Sequence, residues 1–231
     1  MAEPEQRHSR ALEPDLIADP KLKAEAEAKN GLRQFDVGIA TVETAVERGV
    51  AEFRLRPSTI LGLHREALAG ISSYAGLWRP AGVEIQGSKH KPSGAHLVPE
   101  LVENMCDYVN ERWQDATAIH LAAYLMWRLN WIHPFADGNG RTARMTSYVV
   151  MSIKIGRALA GTPTIPEQIV ENRVPYFDAL DAADEAFKKG QIDVSKMEEL
   201  LGALLAKQLM SIYQLAGGKL KAIADSVGEE G

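Results

Sequence analysis

Residues 116–132 are apolar on almost every side, with Ile119, Leu121, Ala122, Leu125, Met126, Trp127 and Leu129 spread round the helical circumference. A helix of that pattern has no face to give to water, so it belongs at the centre of a helical domain. Helical periodicity also runs over about 22–49, 57–73, 97–113, 141–156, 166–187 and 194–215, and the Ala/Glu/Lys-rich start of the first of these favours it. The fold class expected is all-α. Residues 1–22, punctuated by Pro4, Pro14 and Pro20, read as a flexible arm, and 23–54 as a helix packed on the core. Residues 55–215 read as the principal domain and 216–231 as a flexible tail, with Gly217-Gly218 breaking the last helix. There is no internal repeat and no sign of a second core.

The central helix runs directly into His133-Pro134-Phe135-Ala136-Asp137-Gly138-Asn139-Gly140-Arg141-Thr142-Ala143-Arg144. Proline disfavours α geometry at the residue before it, so the helix should end at about His133 and project the imidazole toward the loop. Histidine titrates near neutrality and can take a proton from an attacking hydroxyl. Gly138 and Gly140 let backbone N–H groups approach a ligand closely, and amides turned the same way form an anion-binding nest. Helix-compatible residues follow, with apolar positions at Met145, Val149 and Ile153. The Gly-Asn-Gly turn therefore falls at a helix N-terminus, where unsatisfied N–H groups and the dipole attract anions. Arg141 and Arg144 share one face of that first turn, where positive charge opposes the dipole. The placement makes sense beside a polyphosphate, which arginine grips with paired hydrogen bonds. Asp137, the one acid of the run, is placed as a lone carboxylate beside phosphates commonly holds Mg²⁺. Each feature alone has an ordinary structural reading as a turn, a helix end or a solvated face. Their concentration in twelve residues does not.

This run resembles the signature of the Fic domain family, His-x-Phe-x-Asp/Glu-Gly-Asn-Gly-Arg-x-x-Arg, at every fixed position, and the resemblance covers roughly residues 55–210. The resemblance implies a Mg²⁺-dependent protein adenylyltransferase, which moves AMP from ATP to a Ser, Thr or Tyr hydroxyl and releases pyrophosphate. His133 would be the general base, Asp137 the Mg²⁺ ligand, and Gly138, Asn139 and Gly140 the anion hole, with Asn139 on the α-phosphate. Arg141 would contact the β- and γ-phosphates and Arg144 the γ-phosphate, while Phe135 anchors the loop. The sequence from Leu63-His64-Arg65 through Tyr74 to Arg79 looks like the approach to the family's flap, Val83 to Pro92. Val83 and Ile85 alternate with polar residues and Gly87-Ser88 signals a turn, so a short β-hairpin is expected there. In the family the flap holds the target segment as an added strand. Gln86, Gly87 and Ser88 at its tip count among the nucleotide-binding residues. Tyr176, Phe177 and Leu180 would line the adenine, with Asp184 at its edge. Phe177 stands where the family often has a second Tyr, so ring packing persists without that hydroxyl. Tyr176 and Leu180, i and i+4 on one face, also suit core packing.

Many members of the family carry an inhibitory helix, Ser/Thr-x-x-x-Glu-Gly/Asn, whose glutamate pairs with the second motif arginine, here Arg144. Ser226 to Glu230-Gly231 fits the letters but contains Gly228, and Ser9 to Glu13 fits the spacing but is followed by Pro14. The glutamate can instead come from an antitoxin partner or be absent. Alternative activities are a Doc-like protein kinase toxin, disfavoured by the intact Gly140, removal of AMP by the same site, and a nucleotide-responsive binding module, disfavoured by His133.

Composition bounds the rest. An apolar content of 45% over 231 residues supports an ordinary core. The net charge of −5 and the lack of a broad basic stripe argue against nucleic acid as partner. Cys106 is the single cysteine, so no intramolecular disulfide forms, a reducing compartment is expected, and the thiol should be a small buried hydrophobe. No run of about eighteen apolar residues suggests a membrane span. The charged N-terminus lacks the apolar stretch of a signal peptide, so a cytoplasmic location is expected. ATP, a target protein and a homodimeric mate are the expected partners.

Overall fold

Helix α4 (Ala118–Ile132) is the axis of the molecule, with its interior positions from Leu121 to Trp127 all buried. It starts at Thr117, whose Oγ1 accepts the His120 N–H at 3.0 Å and satisfies one orphan donor of the first turn. The computed structural model describes residues 9–10 and 16–228, with side chains described for 16–214. In chain order the elements are β1 (Ser9–Arg10), α1 (Pro20–Arg48), α2 (Pro57–Leu68), β2 (Glu84–Ile85), α3 (Val98–Glu111), α4, α5 (Asn139–Ile155), α6 (Ile165–Glu171), α7 (Val174–Lys188) and α8 (Ser195–Gly228). The fold is all-α, as the periodicity predicts.

The second buried element is α5, which packs along α4 and buries nearly every residue from Thr142 to Ile153. Helix α1 crosses α2 and α5. Its Asn30 amide donates to the Ala69 carbonyl at 2.8 Å and its Gln34 amide to the Leu63 carbonyl at 3.1 Å. Gly38 lets it approach closely, since a Cβ there would sit 2.8 Å from the Met145 sulfur. This crossing carries the first turns of α1 to the edge of the α5 N-terminus. Helix α8 closes the other side through Gln208, whose buried amide receives the Ile165 N–H at 2.9 Å and donates to the Tyr148 hydroxyl at 3.0 Å. Cys106 packs in the core, where burial pushes its thiol up to about 12. No helix among the described residues is long and apolar enough to cross a membrane.

Three local expectations change. The helix expected over 166–187 is two helices, α6 and α7, broken at Asn172-Arg173. Pro175 lacks an N–H and fits only the first turn of a helix, so the chain restarts there. Helix α8 does not stop at Gly217-Gly218 but continues to Gly228. Each glycine costs only about 1 kcal/mol relative to alanine in a helix, and the flanking Leu, Ala and Lys residues are strong helix formers.

The flap is the third. Its β2 has no returning strand of its own and pairs antiparallel with β1, Ser9 opposite Ile85 and Arg10 opposite Glu84. After β2 the chain turns at Gly87 (φ +74°), with Ser88 N–H donating to the Ile85 carbonyl at 3.2 Å. The returning arm is then drawn away. Ser88 Oγ accepts the His90 N–H, and the His90 ring, through Nε2, bonds the Trp131 carbonyl of α4 at 2.7 Å.

Candidate active site

His133 takes a left-handed conformation (φ 52°, ψ 59°), alone among the described non-glycine residues, and caps α4 with its N–H on the Leu129 carbonyl at 2.9 Å. The proline that follows ends the helix here, as expected, and the turn swings the imidazole into a cavity of about 580 Å³. Its Nδ1 lies 3.2 Å from the Asn130 carbonyl oxygen. A carbonyl only accepts, so Nδ1 carries the proton and Nε2 keeps its lone pair. Burial lowers the ring pKa to about 4, with the Asn130 carbonyl pulling weakly the other way and the Arg79 charge pushing further down. The imidazole is therefore neutral at pH 7, the state a proton acceptor needs.

Behind it, Arg79 holds the geometry. This buried guanidinium donates from Nε to the His133 carbonyl at 2.8 Å, from Nη1 to Ala81 at 2.9 Å and from Nη2 to the Ser93 carbonyl, while its main-chain N–H reaches the Pro134 carbonyl at 2.9 Å. One side chain thus ties the base to both ends of the flap.

The loop 134–138 is fixed from two sides. Asn139 Oδ1 accepts the Phe135 N–H at 2.9 Å and its Nδ2 donates to the Phe135 carbonyl at 2.8 Å. Phe135 is fully buried and stacks on His64, with ring centroids 3.6 Å apart and an interplanar angle of 6°. His64 accepts the Gly76 N–H at Nδ1 (2.9 Å), so its Nε2 carries the proton and donates to the Asp137 carbonyl at 3.0 Å. Gly138 is at φ +74°, and a Cβ there would come within 2.4 Å of Leu68 Cδ2. Only glycine fits. The result is that α5 begins at Asn139 with its first main-chain N–H groups directed out of the loop.

Arg141, Arg144, Lys23 and Arg173 line the same cavity, interleaved with the carboxylates Glu27 and Asp137. Burial lowers the pKa of Arg144, whose surroundings are the Tyr176 hydroxyl and the like charges of Arg173 and Arg141. Arg141 is tied to Asp137 Oδ2 at 3.1 Å and to Glu27 Oε1 at 3.3 Å. Asp137 Oδ1 accepts the Gly138 N–H at 2.5 Å, and the carboxylate is nearly half exposed at the cavity. Among the described residues no cluster of three or more His, Cys, Asp or Glu is arranged to hold a metal. A lone carboxylate of this kind suits Mg²⁺ whose remaining ligands are phosphate oxygens and waters.

The rest of the lining is largely aromatic and apolar. Trp127, Trp131, Tyr176, Phe177 and Leu180 belong to it, with Asp184 beside them. Asp184 accepts the Trp127 indole N–H at 2.8 Å, and burial raises its carboxyl pKa. The Tyr176 hydroxyl accepts the Asn130 amide at 2.8 Å, so this ring also buttresses the turn before His133.

The cavity therefore gathers His133, Asp137, Gly138, Asn139, Gly140, Arg141, Arg144, Ser88, Tyr176, Phe177 and Asp184. Gln86 and Gly87 lie outside its lining. Glu13 and Glu230 fall outside the described residues. Sequence reasoning did not single out Arg79, His64, Lys23, Glu27 or Arg173. The two clamps had no spacing signal, because each bonds main-chain groups far away in sequence. Glu27 and Lys23 look like ordinary residues of an Ala/Glu/Lys-rich helix.

Residues 54–151 match the model of the Fic/DOC family. The curated protein adenylyltransferase Fic of Drosophila willistoni is 30% identical over 138 residues, 59% of this chain and 26% of that protein. Protein adenylyltransferase fic-1 of Caenorhabditis briggsae is 32% identical over 127 residues, 54% of this chain and 23% of that one. The chain thus spans about a quarter of the length of these relatives. Among solved structures, a Fic domain containing signaling protein from Bacteroides thetaiotaomicron aligns with a TM-score of 0.65 at 22% identity, covering 84% of this chain and 73% of that one. Fic-1 from C. elegans aligns with a TM-score of 0.58 at 22% identity, covering 89% and 55%. At this identity the structures show a shared fold.

Proposed function

With residues 54–151 a domain of the Fic/DOC family, we propose that the protein transfers AMP from ATP to a hydroxyl of a target protein. The observation that carries this reading is one cavity lined by a neutral histidine, a helix N-terminus and arginines together with a set of aromatic side chains. A nucleoside polyphosphate has both the phosphates and the base that such a lining suits. Its base fits the slot of Trp131, Tyr176, Phe177 and Leu180, and its phosphates fit the α5 N-terminus, Arg141 and Arg144.

His133 Nε2 accepts the proton of the target hydroxyl, whose oxygen attacks the α-phosphorus. The bond to the β-phosphate oxygen breaks and pyrophosphate leaves. The main-chain N–H groups at the start of α5, with Asn139 beside them, meet the charge that develops on the α-phosphate. Arg141 and Arg144 hold the departing phosphates. Asp137 would hold Mg²⁺, which neutralises phosphate charge when bound. Asn139 and His64 act on the loop as well, by fixing its shape before ATP arrives. The target segment docks along the edge of β2, where main-chain hydrogen bonds accept many sequences.

The test is incubation with Mg²⁺ and ATP labelled on the α-phosphate, with cell lysate, beside His133→Ala. A labelled protein band present with the wild type and absent with the variant supports the reading. Label transferred only from the γ-phosphate overturns it in favour of a kinase.

A further inference from the structure

The Tyr176 hydroxyl stands between two parts of the site that a transfer reaction must keep in step. Tyr176 lies in the first turn of α7, is buried, and lines the cavity. Of the neighbouring rings Tyr176 and Phe177, the first alone carries a hydroxyl. That oxygen accepts the Asn130 amide at 2.8 Å and a hydrogen bond from the Arg144 guanidinium. An amide N–H and a guanidinium can only donate, so both lone pairs of the hydroxyl oxygen are engaged. On one side, Arg144 lies over the start of α5, since a Cβ on Gly140 would stand 3.1 Å from its Nη1. On the other, the Asn130 amide is held between the Tyr176 hydroxyl and the Met126 carbonyl, at 2.8 and 2.6 Å. The main-chain carbonyl of the same Asn130 receives the His133 Nδ1–H at 3.2 Å. A path thus runs from Arg144 through one hydroxyl and one asparagine to the imidazole.

We infer that Tyr176 is a positioning residue for the base: its hydroxyl fixes Asn130, whose carbonyl keeps the His133 proton on Nδ1, and ties that geometry to where Arg144 stands. The role rests on the adenylyl-transfer reading above and deepens it. Transfer needs the lone pair of Nε2 free for the target hydroxyl, and of the two neutral tautomers the Nδ1–H form has it. Phosphate that draws Arg144 off the hydroxyl changes what the oxygen holds, and the change reaches the base through Asn130. The ring of Tyr176 meanwhile serves the nucleotide base, so ring and hydroxyl have separate tasks.

The test compares the full-length protein with Tyr176→Phe, which keeps the ring and removes the oxygen alone. Imidazole ¹⁵N signals of the nucleotide-free protein report the tautomer, that of His133 being identified by its loss in His133→Ala. The wild type is expected in the Nδ1–H form, and Arg144→Ala should shift its signals. In Tyr176→Phe the two tautomers should mix, and Arg144→Ala should have no further effect. The charges that weigh most on His133 are those of Arg79, His90 and Asp137, so a response to Arg144 reports the hydroxyl path. In Tyr176→Phe, calorimetric affinity for a non-hydrolysable ATP analogue should stay within about threefold of the wild type. Single-turnover transfer of α-label to a lysate protein should fall about tenfold or more. Asn130→Ala should lose as much, and the double variant no more than the worse single one. A His133 signal that answers Arg144→Ala equally in both backgrounds overturns the inference. So does an unchanged transfer rate in Tyr176→Phe, a parallel loss of rate and affinity, or additive losses in the double variant. If the wild type transfers no α-label, adenylyl transfer falls, and the imidazole signals alone decide whether the hydroxyl links Arg144 to His133.

Discussion

Glu27, on the second turn of α1, accepts a hydrogen bond from Arg141 at 3.3 Å across 114 residues of chain. The carboxylate stands in the cavity where the β- and γ-phosphates of ATP are proposed to lie, and it occupies the arginine those phosphates need. Both side chains are partly exposed, so the pair itself contributes no more than about 1 kcal/mol. Phosphate must displace the carboxylate or sit beside its charge. Glu27→Ala should therefore bind ATP about two- to fivefold more tightly, the fold-change that roughly 0.4–1 kcal/mol implies. Titration calorimetry with a non-hydrolysable ATP analogue reads this directly. Unchanged or weaker affinity would show that Glu27 orients Arg141 for the phosphates and does not compete with them.

The base should leave no mark on the activity profile near its ordinary pKa. Burial lowers the His133 pKa to about 4. Single-turnover transfer at saturating ATP should then be flat in its His133 contribution from pH 8 to pH 5, with no fall at about 6.5, the usual histidine value. A half-maximal rate near 6.5 would mean that the ring is charged in the resting site. Stability carries the same shift with a definite sign. Between about 6.5 and 4 the unfolded chain binds a proton that the folded chain refuses, so unfolding is favoured as pH falls through that window. The full contribution approaches about 3 kcal/mol, present above pH 6.5 and lost by about pH 4. Denaturant titrations at pH 7 and 5 should diverge less for His133→Asn, which removes the titrating ring and keeps a residue tolerant of the left-handed backbone.

The buried helix α4 and the loop after it could be read from sequence because their signals are local. An apolar circumference, an X-Pro step and Gly-x-Gly act on neighbouring residues, so the end of α4 at His133 and the start of α5 at Asn139 follow from the letters. Arg79 and His64 could not be read in this way. Their partners are the carbonyls of His133 and Asp137, 54 and 73 residues distant, and a carbonyl has no residue identity to recognise. The flap failed for a related reason. Alternation at Val83 and Ile85 correctly marks a strand, but nothing in 83–92 announces that His90 will be pulled onto Trp131 and that Ser9 will supply the pairing edge. The break between α6 and α7 has a local signal in Pro175, set within a helical pattern on both sides.

Arg79→Lys should separate positioning from binding. An ammonium cannot reproduce the fork that spans the buried His133 carbonyl and the part-buried Ala81 and Ser93 carbonyls, so the tie between the base and the flap is lost. A buried acceptor left unsatisfied costs about 1–3 kcal/mol, and the melting temperature should fall by several degrees. Since Arg79 lies outside the phosphate end, ATP affinity should change little, while the transfer rate drops by about a hundredfold or more as the base drifts. Parallel loss of affinity and rate would indicate collapse of the whole cavity.

Gly138 offers a cycle in which two causes of damage are taken apart. Gly138→Ala brings a Cβ to 2.4 Å from Leu68 Cδ2 and also holds alanine at φ +74°. The left-handed conformation alone costs about 1–2 kcal/mol, and the overlap adds to it. Leu68→Ala opens a cavity where Leu68 is fully buried, at a cost of about 2–5 kcal/mol on its own. The double variant removes the overlap and leaves the backbone strain, so its destabilisation should be smaller than the sum of the two single losses by 1 kcal/mol or more in chemical denaturation. The turn should still present the α5 N–H groups less well than glycine does, so transfer stays impaired in the double variant even where stability returns. Additive losses would mean that the loop shifts to relieve the contact and that the positive φ alone makes glycine necessary at this position.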